Sequence, residues 1–205
     1  MDDKGSKAEL ALEALVQAIP YVGGPLATLY FGHKQEKRFK RLESFYKEIK
    51  EEITRLGIKI PDISSHDPDE LASIMEKIHD RIESEHLQIK REVYKMYYIK
   101  TLLNPIKSEN YDERVLFLFT LERLTEIQMQ IFLFIVSQSG PVIDKNINKN
   151  GTSPALVQGA IAQLKILGLI DSKLHGIVFG GSGNAMNEEI SLSDFGRNFH
   201  NFCMR

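Results

Sequence analysis

Two Glu-x-x-His pairs are the first residues in this chain whose types and spacing could do chemistry. Glu76 stands three before His79, and Glu83 three before His86. Positions 76, 79, 83 and 86 step by three, four and three, so a helix would carry all four side chains on one stripe. A carboxylate and an imidazole at this spacing form the ligand pairs of di-iron helical bundles. Those sites take their two pairs from different helices and add glutamates from two more. Here both pairs fall on one expected helix, about 10 Å apart along its axis at about 1.5 Å per residue. Only a second copy of the stripe could complete such a site. The plainer reading is a solvated polar stripe beside an apolar seam, and no metal ligand is assigned.

The other chemical candidates are weaker. The run Gly180-Gly181-Ser182-Gly183 lacks the Lys-Ser/Thr and the following helix of a phosphate-binding loop, so it reads as a loop tip. Cys203 is the single cysteine. It has Arg205 nearby but no evident base, and it excludes an intramolecular disulfide, as expected of a reducing cytoplasm. Serines and histidines are scattered without a nucleophile signature. The sequence therefore assigns no catalytic residue, metal or cofactor, and the chain is read as a non-enzyme.

The elements that would position these residues are more legible. Residues 25–56 carry Phe39, Leu42, Tyr46, Ile49, Ile53 and Leu56 at alternating steps of three and four, a coiled-coil seam stopped by Gly57. A second helix is expected over 68–103, opened by Asp67 as N-cap, Pro68 at the first turn and Glu70. Its seam is Leu71, Met75, Ile78 and Ile82, a polar gap at Glu85 and His86, then Ile89, Val93, Met96 and Leu103. A single apolar stripe on each helix requires a partner. The expected fold class is mainly α: a long, coiled-coil-like antiparallel helical hairpin, with Leu42, Tyr46, Ile49 and Ile53 facing Ile74, Ile78 and Ile82.

Composition narrows the class. The 205 residues are 42% hydrophobic and 26% charged, as in an ordinary soluble globular protein. A formal net charge of −2 gives no global basic field for nucleic acid. The acidic start Met1-Asp2-Asp3 does not resemble a secretory signal, so a cytoplasmic location is expected.

Near the N-terminus, residues 8–19 read as a short helix broken at 20–25 by Pro20, Gly23, Gly24 and Pro25. From 14 to 31 the chain is almost wholly apolar. Lys34, Lys37, Arg38, Lys40 and Arg41 follow. One reading is a membrane-inserting hairpin: Leu26 and Leu29 would enter the surface and the five cations would touch anionic headgroups, placing the protein at the inner face of the membrane. The other is a helix that doubles back onto the long hairpin, with the cations interspersed by Glu36 and Glu43 on a solvated face.

After a polar linker at 107–112 the texture changes, dividing an N-terminal helical domain (1–106) from a C-terminal module (113–205). A capping box at Thr125 and Gln128 opens one helix, and residues 142–151 are Asn-rich and turn-like. Ser153-Pro154 opens the next helix, with Val157, Ile161, Leu164 and Leu167, stopped by Gly168. Strands are expected at 169–174 and 188–192 around the Gly-rich loop, and Ser193 caps a last helix. Leu164, Leu167, Leu169, Ile190, Leu192, Phe195 and Phe199 should share one core.

That order is the order of a winged helix. "LKILGLIDSKL" and "EEISLSDFGRNF" are similar to the segment of winged-helix regulators of the multiple-antibiotic-resistance type. More narrowly, the C-terminal stretch resembles the bacterial abortive-infection alpha family. The residues that carry this are Leu167-Gly168-Leu169-Ile170, then Leu192-Ser193-Asp194-Phe195-Gly196-Arg197-Asn198-Phe199, then Cys203. Ser193 replaces the family's threonine and keeps the capping hydroxyl. The N-terminal half shares only its charged helical character. The resemblance implies a role in phage resistance and supplies no biochemical mechanism.

A winged helix that reads DNA presents cations and amides on its recognition helix and wing. The candidate contact residues are Ser153, Gln158, Gln163, Lys165, Lys173 and His175. From Glu113 onward eight basic residues meet eight acidic ones, so the module is neutral. The expectation is an interaction protein of phage–host conflict, forming a homo-oligomer or binding a protein partner through the long helices and docking protein through the winged helix. A DNA-binding regulator and a membrane-active effector using 14–31 are the alternatives.

Overall fold

The computed structural model describes residues 33–177 and 186–205. It is mainly helical with one small antiparallel sheet. Two compact units meet at Leu118 and Phe119, inside a helix. The expected helix at 8–19, the break at 20–25 and the first helix's start at Pro25 lie outside the described residues.

In the first unit α1 spans His33–Leu56. Gly57 ends it at a φ of 61°, with the Ile58 N–H on the Ile53 carbonyl at 3.1 Å and the Gly57 N–H on the Thr54 carbonyl at 3.2 Å. This is the left-handed stop that glycine adopts without a Cβ penalty. Its buried face is Leu42, Phe45 and Ile49. Tyr46 and Ile53 are half-buried, and Leu56 is exposed.

α2 spans Pro68–Ser84, and Asp67 caps it as its sequence requires: the carboxylate accepts the Asp69 and Glu70 N–H groups, each at 3.1 Å. Leu71, Ile74, Met75, Ile78 and Ile82 are buried. α1 and α2 run antiparallel. The Arg41 guanidinium donates to the Glu83 carbonyl at 2.5 Å, and Tyr46 reaches His79 one to two turns further along.

The single helix expected over 68–103 is not formed. It ends at Ser84, and α3 spans Gln88–Leu103. The polar gap at Glu85 and His86 is where the chain turns back. Glu85 and Leu87 take extended backbone angles. The Glu85 carboxylate accepts the His86 and Leu87 N–H groups at 2.9 and 3.0 Å and holds the Lys90 ammonium at 3.2 Å. It thus satisfies amides that a continuing helix would have bonded. The reversal brings the start of α2 onto the end of α3: the Asp67 N–H bonds the Ile106 carbonyl at 2.8 Å. Along one straight helix those residues would lie more than about 50 Å apart.

Folding back also changes which face of α3 is core. Val93, Tyr94, Tyr97, Tyr98, Ile99 and Leu102 are buried, whereas Ile89, Met96 and Leu103 of the expected seam are half-exposed. Phe45 and Tyr98 meet edge-on at 5.9 Å between ring centroids. Residues 33–103 therefore form three helices where the sequence suggests two.

Glu85→Gln tests the turn. The amide oxygen can still accept both backbone N–H groups but loses the charge facing Lys90, so a loss of about 1 kcal/mol is expected in urea unfolding. Burial works against the Glu85 carboxylate, but the Leu87 amide and the Lys90 ammonium outweigh it and hold its pKa below the usual range. The stabilisation is therefore complete above about pH 4.3 and lost as the pH falls further. In the variant this part of the acid sensitivity should vanish.

α4 spans Ser108–Arg123. The polar linker expected at 107–112 is largely its first turn, fastened by Asn110, whose side chain bonds the Pro105 carbonyl and the Lys107 N–H.

The second unit begins at Phe119. α5 (Glu126–Ser137) opens with the complete Thr125–Gln128 capping box. β1 (Val142–Ile143) and a 3-10 turn (Asp144–Asn146) occupy the stretch expected as a loop. α6 (Pro154–Ile166) is capped by Ser153. β2 (Ile170–Ile177) and β3 (Met186–Leu192) are longer than the sequence suggests, and α7 spans Asp194–Cys203. The sheet order is β1-β3-β2, all antiparallel, with Ile190 opposite both Val142 and Ser172. The core holds Met129, Phe132 and Ile135 from α5, Val157, Ile161 and Leu164 from α6, Leu169, Ile170 and Ile190 around the sheet, and Phe199 and Cys203 from α7. Leu167, Leu192 and Phe195 lie at its edge, half-exposed.

The join between α6, the sheet and α7 is tight. Gly168 ends α6 at a φ of 71°, with the Leu169 N–H on the Leu164 carbonyl at 3.0 Å. The Ser193 hydroxyl donates to the Gly168 carbonyl at 2.5 Å and accepts the Gly196 N–H at 2.8 Å. One side chain thus caps α7 and fastens it to the end of α6.

Candidate functional site

The polar stripe does not form a common site. Glu76 is exposed and His86 projects from the turn. Glu83 is half-buried and offers its backbone carbonyl to Arg41. His79 departs from the solvated reading. It is half-buried and pairs through Nε2 with the Tyr46 hydroxyl. Burial lowers its pKa, with Asp80 partly opposing. Burial also raises the pKa of Tyr46, and that of Tyr98 is pushed up to about 12. Both phenols and the imidazole are therefore neutral near pH 7, which suits a packed polar contact rather than an acid–base pair. Among the described residues no group of three or more His, Cys, Asp or Glu is placed to hold a metal ion.

Of the candidate lipid contacts, Leu26 and Leu29 lie outside the described residues, as do the side chains of Lys34 and Lys37. Arg38 and Lys40 are exposed on α1, and Arg41 is turned to α2. Among the described residues no helix is long and apolar enough to cross a membrane.

The candidate contacts of the second unit separate by role. Ser153 is the cap of α6, accepting the Leu156 N–H at 3.3 Å. Gln158 and Gln163 are exposed on α6, and Lys173 on β2. The side chain of His175 lies outside the described residues. Lys165 is the one charged residue of α6, and it is bound to Glu188 of β3 at 2.5 Å. That bond holds the Glu188 carboxyl below its usual range.

What sequence reasoning missed is that the outer face of α6 exposes two large aliphatic side chains. Leu156 is 55% exposed and Ile166 is 72% exposed. Ala155, Gly159 and Ala162 are exposed between them. Positions 156, 159, 163 and 166 repeat the steps of three, four and three, so they form one continuous stripe, with Gln163 its polar member. The signal was available in the sequence: a helix that buries Val157, Ile161 and Leu164 leaves Leu156 and Ile166 off that face. Chemically this face can exclude water against another apolar surface, and it offers phosphate no free cation.

No protein-family profile, curated protein or solved structure matches the chain.

Proposed function

We propose that the chain is a non-enzymatic interaction protein of phage–host conflict, with the second unit a winged helix that docks protein rather than DNA. The helix–strand–turn–helix–strand–strand–helix order and the sheet order β1-β3-β2 support the winged-helix reading. In that reading α6 is the recognition helix. One observation carries the choice of ligand: the outer face of α6 is uncharged, exposing Leu156 and Ile166 beside two glutamines, and its lysine is tied to Glu188. Duplex binding depends on neutralising phosphates, whereas apolar faces such as this mark protein contacts. The phage-resistance setting rests on the resemblance of the C-terminal stretch.

Leu156→Glu with Ile166→Glu tests this reading. Both side chains are solvent-exposed, so melting should be unchanged within about 0.5 kcal/mol. Tagged wild type recovered from phage-infected cells should carry a partner that the double variant loses. No gel shift of the chain's own upstream DNA should appear at low salt. A shift that persists in the double variant, or an identical set of captured proteins, overturns the proposal.

A further inference from the structure

The open end of the α2–α3 hairpin is closed by a pair of hydrogen bonds that depend on one imidazole. The Asp67 N–H donates to the Ile106 carbonyl at 2.8 Å, and the Ile106 N–H donates back to His66 Nδ1 at 3.1 Å. The second bond joins residues 40 apart in sequence. His66 is only 6% exposed and Ile106 is fully buried.

An imidazole nitrogen that accepts a hydrogen bond carries no proton, so the clasp places the ring proton on Nε2 and requires the neutral form. Protonation at Nδ1 would set one N–H against another where little water can relieve them, leaving the buried Ile106 amide unsatisfied. The charged residues flanking the clasp do not compensate. Asp67 follows His66, but its carboxylate is turned onto the Asp69 and Glu70 amides. Asp62, at the start of the 3-10 turn before His66, is turned onto the Ser64 amide. Lys107 follows Ile106 and is exposed.

We propose that His66 is a protonation-sensitive latch: its neutral ring holds the ends of α2 and α3 together, and proton uptake at Nδ1 releases the Ile106 amide and opens that end of the hairpin.

Burial lowers the pKa of His66, and the ring's hydrogen bond with the Leu102 backbone partly opposes this. The closed form thus binds its proton at lower pH than the open form does. The latch is fully closed above the ordinary histidine value of about 6.5. It weakens as the pH falls from there toward the closed-state value, by up to about tenfold in open population per pH unit. His79 shifts in the same direction, so the test must isolate His66.

The test measures amide-exchange protection of Asp67 and Ile106 in the full chain, corrected for intrinsic rate, at about pH 7.5 and about pH 5. Wild type is compared with His66→Asn, whose side-chain oxygen can replace Nδ1 as an acceptor that does not titrate. In wild type the Ile106 protection should fall on acidification, by at most about 30-fold if the closed form takes up no proton at about pH 5. In the variant it should stay constant. Parallel falls in both proteins, or no fall in wild type, overturn the latch. Should the variant not fold, nitrogen NMR of the wild-type ring decides. The latch requires the Nε2–H tautomer near neutrality and loss of Ile106 protection coincident with ring protonation. Ring protonation with the amide still protected overturns it.

Discussion

Gly196→Ala should destabilise the second unit by roughly 3 kcal/mol or more, at or beyond the upper end of ordinary overpacking. A Cβ built on Gly196 would stand 2.0 Å from the Leu169 carbonyl oxygen and 2.9 Å from its carbon. Both are backbone atoms of the segment that leads into β2, so no rotamer change relieves the clash. α7 would have to move away, and the Ser193 bridge to Gly168 would break with it. Gly159→Ala is the matched control. Gly159 lies on the outer face of α6 with nothing within 4 Å of a built Cβ, so alanine there should stabilise by about 0.5–1 kcal/mol through helix propensity alone. Urea unfolding followed by circular dichroism reads both. Equal effects at the two positions would refute the packing argument.

Leu164→Ala should cost about 2–5 kcal/mol. The side chain is fully buried, in the last turn of α6, and its carbonyl accepts the Leu169 N–H that forms the Gly168 stop. Truncation would leave a void beside the join of helix and sheet, where the backbone is fixed by the Ser193 bridge and cannot collapse inward. The expected cost is therefore in the upper half of the range. A change below about 1 kcal/mol would mean that the site repacks and that the join is softer than its hydrogen bonds imply.

The caps and stops were legible because each is a local, one-residue decision. Asp67, Thr125, Ser153 and Ser193 all accept backbone N–H groups at the helix starts that their side chains mark. Gly57 and Gly168 both take positive φ at the ends their type suggests. The reversal at Glu85 was hidden because it uses no glycine or proline. Glu, Ser and His are tolerated within helices, and only the folded chain shows the Glu85 carboxylate capturing two amides and a lysine. Once the chain turns back, α3 presents its tyrosines to the core, which a seam drawn straight through Ile89, Val93, Met96 and Leu103 could not anticipate. β1 escaped notice for a different reason. Two residues give no period to detect, and their pairing with Ile190 and Glu189 is decided by the sheet. At the candidate site, sequence located α6 and its exposed amides. It could not show that Lys165 is bound to Glu188, because that pair is made across the fold.

The Ser193 bridge has a consequence for how this chain can vary. The Gly168 carbonyl, the Ser193 hydroxyl and the Gly196 amide close a ring through which the whole β2–β3 hairpin passes as an excursion. The two ends of the excursion are pinned by bonds that involve no residue between Ile170 and Leu192. Lengthening it beyond the paired residues changes only a loop-closure entropy, about 0.6 kcal/mol for each doubling. Insertions, epitope tags or exchanged segments placed beyond the paired residues, away from the buried Ile170 and Ile190, should therefore be accepted without loss of the core, so the hairpin's reach can diverge while the framework that presents it stays fixed.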